Sequence, residues 1–265
     1  MTRPAVSILM PLHNAAATLR ASVHSVQAQT RGDWELWLID DASTDASGAL
    51  AVDLAAGDPR IRVLSLPRNQ GAAAARNAGL AQAQGRFIAF LDADDLWQPP
   101  KLEAQLAHMA ATGAAISFTG YSRADADGRL VERVRAPARV DHATLLKRNV
   151  MGCLTVIHDS AVTGKVPMPD LRRQHDYALW LDLTRRFGPA AGLDRDLAIY
   201  RIGRASLSAN KAGAARDVWR VYRGCQGLGL LPSLWYFGHY TWYGLRHRLI
   251  QRAAADAPRV QGWPG

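Results

Sequence analysis

Cysteine is scarce in this chain of 265 residues: only Cys153 and Cys225 are present, far apart and in no metal-ligand spacing. Neither a disulfide framework nor a cysteine-held metal can be built from them, and a reducing compartment is the simpler expectation. Long apolar runs are missing too. The opening MTRPAVSILMPLHNA turns polar too early to supply the core of a secretion signal, so a cytoplasmic protein is expected. The stretch 224–245 has no Lys, Arg, Asp or Glu, yet Gln226, Pro232, Ser233, His239, Thr241 and five glycines make it poor material for crossing a bilayer. Acidic residues are nearly absent from one end of the chain. Residues 201–265 hold 10 Lys and Arg against 2 Asp and Glu, which leaves 22 against 21 in residues 1–200 and puts almost all of the net charge of +9 in the tail.

What is present is a globular composition. A hydrophobic content of 48% excludes a disordered or low-complexity chain, and the length permits one sizeable core with or without an appended lobe. The runs VSILMPL (6–12), WELWLIDD (34–41), IRVLSLP (61–67) and FIAFLDADD (87–95) read as strands, and the segments between them carry alanine-rich helical patterns. Near-continuous apolar strands imply burial on both faces, hence a largely parallel sheet with right-handed crossovers and helices on each side. Ligands of such sheets gather beyond the carboxyl ends of the strands. The polar clusters PLHN, DDASTD, PRNQG and DADD all fall there.

Each cluster carries a chemical reading and a plainer one. In DDASTD, Ser43, Thr44 or Asp45 can cap the next helix, while Asp41 can accept a ring N–H from a nucleotide base. In NQGAAAARNAGL, Asn69 and Gly71 can form a simple turn, but a helix N-terminus with Arg76 in its second turn also suits a diphosphate. In FLDADDLW, strand alternation sends Asp92 and Asp94 to one side and Asp95 to the other, where it can cap the helix near Pro99. Carboxylates this close either shift their pKa values upward or recruit a cation, and oxygen-only ligands at a phosphate site suit Mg²⁺ or Mn²⁺.

PLHN, DDASTD, NQGAAAARNAGL, FLDADDLWQPPKLEAQ and the later HDYALWLDL stand in the order and approximate spacing of the family 2 glycosyltransferases, which the chain resembles over roughly residues 5–205. The resemblance implies an α/β fold of the GT-A type, Rossmann-like, with a mostly parallel central sheet flanked by helices and here a C-terminal helical extension. It divides the chain into a nucleotide-sugar-binding part (1–120), an acceptor-binding part (121–205) and a basic aromatic helical tail (206–265). It places Pro11, His13 and Asn14 beside the nucleotide, Asp41 at the base, and Asn69, Gly71 and Arg76 on the donor side. Asp92 and Ala93 then lie at the ribose, and Asp94 with Asp92 holds a Mn²⁺ or Mg²⁺ ion at the diphosphate. Asp176 in QHDYALWLDL becomes the base for the acceptor hydroxyl, although the helical spacing that follows also makes it a candidate cap. Two departures from the family's pattern are His13, where an aromatic residue is common, and His175, where a glutamate is common.

The resemblance implies an inverting, metal-dependent transferase using a nucleoside-diphosphate sugar, with UDP the commonest case, and a glycan or polyprenyl-linked glycan as acceptor. No Q-x-x-R-W stretch is present, so one sugar per encounter is expected. Between the sites, AISFTGYSRADADGRLVERV reads as two strands about an Asp127-Gly128 turn, and Thr155 in MGCLTVIHDSAV as a packing residue. Arg201 and Arg204, in LAIYRIGRASLSANK, belong either to a loop that folds over the donor diphosphate or to a solvated linker. In the tail, Leu231, Leu234, Trp235, Trp242, Leu245 and Leu249 recur at helical spacing ahead of Arg246, Arg248 and Arg252. That pattern suits either a helix packed on the catalytic part or one lying on an anionic membrane surface, at the cytoplasmic face of the inner membrane. Basicity alone would also admit nucleic acid, but aromatics beside arginines also suit a membrane surface, and no nucleic-acid partner is expected. A phosphatase of the haloacid dehalogenase type and a sugar nucleotidyltransferase both fail on motif placement. The remaining alternative is a catalytically degenerate relative acting as a binding or scaffold protein at the membrane.

Overall fold

The protein is described by a computed structural model, which covers residues 3–202 and 211–251. Its frame is set by four parallel strands, β1 (Val6–Leu12), β2 (Trp34–Asp40), β3 (Ile61–Ser65) and β4 (Phe87–Phe90), with β1 between β2 and β4. Every residue of β1 and β2 is buried, as apolar runs without alternation demand. The register pairs Leu12 with Asp40 and Asp40 with Ser65, so three strands stop level and release their loops at one edge.

The crossovers are the helices α1 (Leu19–Gln27), α2 (Ser47–Gly57) and α3 (Ala72–Gln82), and α4 (Lys101–Thr112) follows β5 (Leu96–Trp97). Alternate residues of β1 serve opposite cores: Ile8 and Met10 pack with Leu19, Val23, Leu102 and Leu106 of α1 and α4, while Leu9 packs with Ala75 and Leu80 of α3. Gly79 lets α3 close on β2, since a Cβ there would sit 2.8 Å from Ile39 Cδ1.

The remaining strands are β6 (Ile116–Ala124), β7 (Leu130–Val134), β8 (Arg139–Val140), β9 (Ile157–Asp159) and β10 (Ala190–Arg201). The sheet runs in the order β3-β2-β1-β4-β9-β6-β10-β5, with β7 on β6 and β8 on β10. The expected hairpin is there as β6 and β7, turning at Gly128, whose φ of 75° is left-handed. Thr155 is buried as expected, its hydroxyl donating to the Gly152 carbonyl. Antiparallel β9, wedged between β4 and β6, was not expected, and it makes the sheet mixed but still mostly parallel. FIAFLDADD also ends as a strand at Phe90, five residues before the sequence boundary, because the chain must turn at Asp92–Asp95 to start β5.

Helices α5 (His142–Lys147), α6 (Ser160–Thr163) and α7 (His175–Phe187) cover the later strands. The C-terminal extension comprises α8 (Lys211–Arg220), a π-helical turn at Val221–Cys225 and α9 (Leu230–Gln251). It packs behind α7 through tyrosines. The Tyr177 hydroxyl donates to the Leu145 carbonyl at 2.9 Å and lies 3.3 Å from that of Tyr222, and the Tyr177 and Tyr240 rings are 6.1 Å apart. No helix among the described residues is long and apolar enough to cross a membrane.

His158 on β9 is fully buried between Phe90 and the Thr163 hydroxyl, and burial holds its pKa down to about 4 from 6.5. A base whose folded pKa lies below its unfolded one costs nothing at high pH and destabilises as pH falls between the two values. Unfolding free energy should therefore drop by about 3 kcal/mol between pH 6.5 and about 4 from this group. Urea unfolding across that range should show the drop. His158→Phe should flatten that part of the slope, since Thr163 keeps the Asp159 and Gly164 carbonyls to donate to.

Candidate active site

The level ends of β1 and β2 force their loops together, and side chains lock them. Asn14, at a left-handed φ of 52°, accepts from the backbone N–H groups of Thr44 (2.8 Å) and Asp45 (3.3 Å), while its own N–H donates to Ser43 Oγ. His13 donates from Nδ1 to the Asp41 carbonyl at 2.9 Å. Buried Asp41 accepts from the N–H groups of Gln70 (2.8 Å) and Gly71 (2.7 Å). Gly71, the residue before α3, has a φ of 88° and no side chain to cap with, so Asp41 supplies the capping carboxylate from the neighbouring strand. Both Asp41 oxygens are thus engaged, and a contact to a base edge would use a further lone pair. The plainer reading of DDASTD also holds, since Asp45 accepts from the Ser47 N–H at the start of α2. Pro11 is buried at the end of β1, and Asn69 is exposed beside Gly71.

The second cluster is the turn after β4. Alternation along a strand does not operate there, so the expected separation of Asp95 from its neighbours is incorrect. One carboxylate oxygen from each of Asp92, Asp94 and Asp95 lies within 4.8 Å of the others, and buried Ala93 sits among them. Nor does Asp95 cap α4, whose preceding residue is Pro100 with no side-chain cap. Asp95 is buried and accepts from the Arg201 N–H at 3.0 Å, while Arg201 Nε donates to the Asp94 carbonyl. The end of β10 thereby straps the acidic turn. Arg204 lies outside the described residues. Crowding by the protein, then the charge of Asp92, pushes Asp94 up to about 6, and burial raises Asp95 as well.

Arg76 joins the two halves of the site. It is 3% exposed, and its guanidinium donates to Asp92 and, at 2.7 Å, to His175 Nε2. The sequence expectation turned this side chain toward a diphosphate; in the structure its two terminal nitrogens are engaged within the protein. Asp176 follows His175 in the first turn of α7 and, half-buried, lies close enough to Arg76 to add to the field that holds the guanidinium charged. It caps nothing, because the preceding residue of α7 is Gln174 and no side chain caps that end. His175 as a partner of Arg76, and Arg201 as the strap on the turn, were not found from the sequence, where separations of 99 and 107 positions leave no local signal.

Comparison with known proteins fits this geometry. The Glycosyl transferase family 2 profile matches residues 7–164. TuaG of Bacillus subtilis (strain 168), named as a glycosyltransferase of teichuronic acid biosynthesis, is 40% identical over 93% of this chain and 98% of its own. The chain belongs to glycosyl transferase family 2. Another member, the Escherichia coli UDP-Glc:alpha-D-GlcNAc-diphosphoundecaprenol beta-1,3-glucosyltransferase WfgD, is 36% identical over 82% of this chain and 84% of its own. Among solved structures, residues 1–349 of Staphylococcus aureus TarS with UDP-GlcNAc superpose with a TM-score of 0.67 at 19% identity, covering 83% of this chain and 65% of TarS 1–349. The mannosyltransferase PcManGT of Pyrobaculum calidifontis, with GDP-Man and Mn²⁺, gives 0.67 at 14% identity over 96% and 77%. The fold of this glycosyltransferase is therefore GT-A.

A divalent ion bound on the acidic turn would have to displace the Asp94 proton. With that carboxyl raised to about 6, affinity should be full above the raised value and fall as pH drops through it, instead of near the ordinary 3.8. Mn²⁺ titration calorimetry across this range is the check, and Asp94→Asn should lose both the affinity and its pH dependence.

Proposed function

We propose that this glycosyltransferase moves one sugar at a time from a UDP-sugar, with inversion, to a glycan carried on a polyprenyl diphosphate in cell-surface polysaccharide synthesis. The observation that carries the reading is the meeting of the Asp92–Asp95 turn with Asp176 across the buried Arg76. TarS in complex with UDP-GlcNAc and WfgD with its UDP-Glc donor and lipid-linked acceptor support the substrate classes. We take residues 1–120 as the donor part and 121–205 as the acceptor part.

The acidic turn fits a hard divalent cation, because its ligands are all oxygen and Asp94, raised first by desolvation and then by the charge of Asp92, sits beside two further carboxylates. Asp94 and Asp92 would hold Mn²⁺ or Mg²⁺, which when bound offsets the charge that builds on a departing diphosphate. Pro11, His13, Asn14, Asp41, Asn69 and Gly71 border the nucleotide pocket. Ala93 packs beneath the ribose beside Asp92, and Arg201 fixes the turn that faces the diphosphate. Asp176 takes the proton from the acceptor hydroxyl as its oxygen attacks the anomeric carbon. A single carboxylate on the side away from the leaving group gives one displacement and an inverted product. Replacing Asp176 with Asn should keep donor affinity and lower transfer by about 10²–10⁴-fold. Calorimetry with UDP, GDP, dTDP and CMP, each with and without Mn²⁺, tests the donor assignment; a chain that binds none of them would be a scaffold.

Location follows from α9. Leu231, Leu234, Trp235 and Trp242 are 51–77% exposed along one side of this helix, while Tyr236, Phe237 and Tyr240 pack inward. With the basic excess of residues 201–265, that outer side suits an anionic bilayer surface at the cytoplasmic face of the inner membrane. The protein should float with phosphatidylglycerol vesicles and not with phosphatidylcholine ones. Combined Leu231→Ser, Leu234→Ser and Trp235→Ser should abolish flotation without altering UDP affinity.

A further inference from the structure

The arrangement of His175 goes beyond the roles given above. A guanidinium has donors only, so the 2.7 Å contact from Arg76 requires a lone pair on Nε2. The proton of the neutral ring must then lie on Nδ1, which is 3.1 Å from the Leu171 carbonyl and donates to it. The ring therefore has one assigned tautomer and two fixed partners, one on the segment before α7 and one on α3. Between them stands Gln174, a residue without β-branching but with a side chain, at a left-handed φ of 60°. Such backbone persists only where its surroundings hold it. The Nδ1 bond closes the turn around Gln174, and the Nε2 bond ties the following residue to the cation that also holds Asp92.

We propose that His175 is a positioning residue: as a neutral acceptor it clamps Arg76 and thereby fixes the base-bearing turn of α7 against the donor-side carboxylate Asp92. Neutrality is part of the function. The charged groups around Arg76 are Asp92 on the acidic turn and Asp176 on α7, with the Cys153 thiol also nearby. An acceptor without charge holds the guanidinium in place and leaves its field to those two carboxylates. A charged acceptor would hold it equally well but draw that field away from Asp176. Desolvation and the adjacent Arg76 both press the ring toward its neutral form, consistent with this assignment.

The role rests on Asp176 being the base, and one experiment separates the two ideas. Nitrogen NMR of the histidine side chains in the full-length protein, with His175→Gln as the assignment control, should show His175 neutral and protonated at Nδ1 near neutral pH. A ring protonated at Nε2, or an imidazolium, overturns the proposal whether or not Asp176 is the base. Transfer kinetics then test the consequence. His175→Leu should lower kcat by about ten- to a hundredfold, with the donor KM changed by less than about twofold. His175→Gln, which places an acceptor oxygen near the position of Nε2, should recover to within about threefold. His175→Glu should also recover activity, but with the acid limb of its pH–rate profile moved upward. If His175→Leu fails to fold, Gln and Glu still decide. A Gln variant as impaired as one lacking any acceptor, or a Glu variant with an unmoved acid limb, would overturn the assignment. Unsubstituted protein that transfers no sugar, with the tautomer as stated, would count against the transferase reading and not against the clamp.

Discussion

A buried guanidinium is the constraint on which the site depends. Removing Arg76 from water costs several kcal/mol unless its donors are paired, so the groups that pair it cannot wander. Those groups sit on the turn after β4 and on the first residue of α7, while Arg76 itself rides on α3. Three elements are thereby held in one arrangement, which gathers Asp92 and Asp176 around one cation. The packing of α3 on β2 at Gly79 sets where that cation stands.

The acidic turn works in the opposite sense. Arg76 has two of its nitrogens paired, whereas desolvation, and after it the charge of acidic neighbours, raises both Asp94 and Asp95. Folding tolerates this because the turn is strapped twice by Arg201 and is completed by the Asp95 N–H donating to the Asp92 carbonyl. Stability is given up locally at the turn where the proposed cation would bind, and the sheet supplies the rigidity that holds it.

Much of this was legible in the sequence, for reasons that differ by element. Fully buried strands announce themselves as apolar runs, so β1 and β2 were read almost to the residue. The two residues of β5 and the three of β9 are too short to show any period, and their pairing is decided by partners elsewhere. Extending β4 through Asp95 failed because alternation says nothing about where a strand must turn. The polar clusters were found at the right edge, but not their wiring: Asp41 proved to cap α3, and Arg76 proved to bridge Asp92 and His175. Such bonds join positions whose proximity exists only after folding. In the tail, α9 packs one side as the first of the two readings expected, and exposes leucine and tryptophan on the other.

The tyrosine contacts behind α7 bear on how separable the parts of this protein are. Tyr177 is the residue after Asp176, and it is sealed from water together with Tyr222, whose hydroxyl it meets, while the half-buried Tyr240 of the extension brings its ring against it. A chain ended near residue 205 would keep every residue assigned to the donor and the base, yet it would open a wet cleft directly behind the catalytic helix. The extension is therefore the back wall of the enzyme, and neither part is a module that can be cut free of the other.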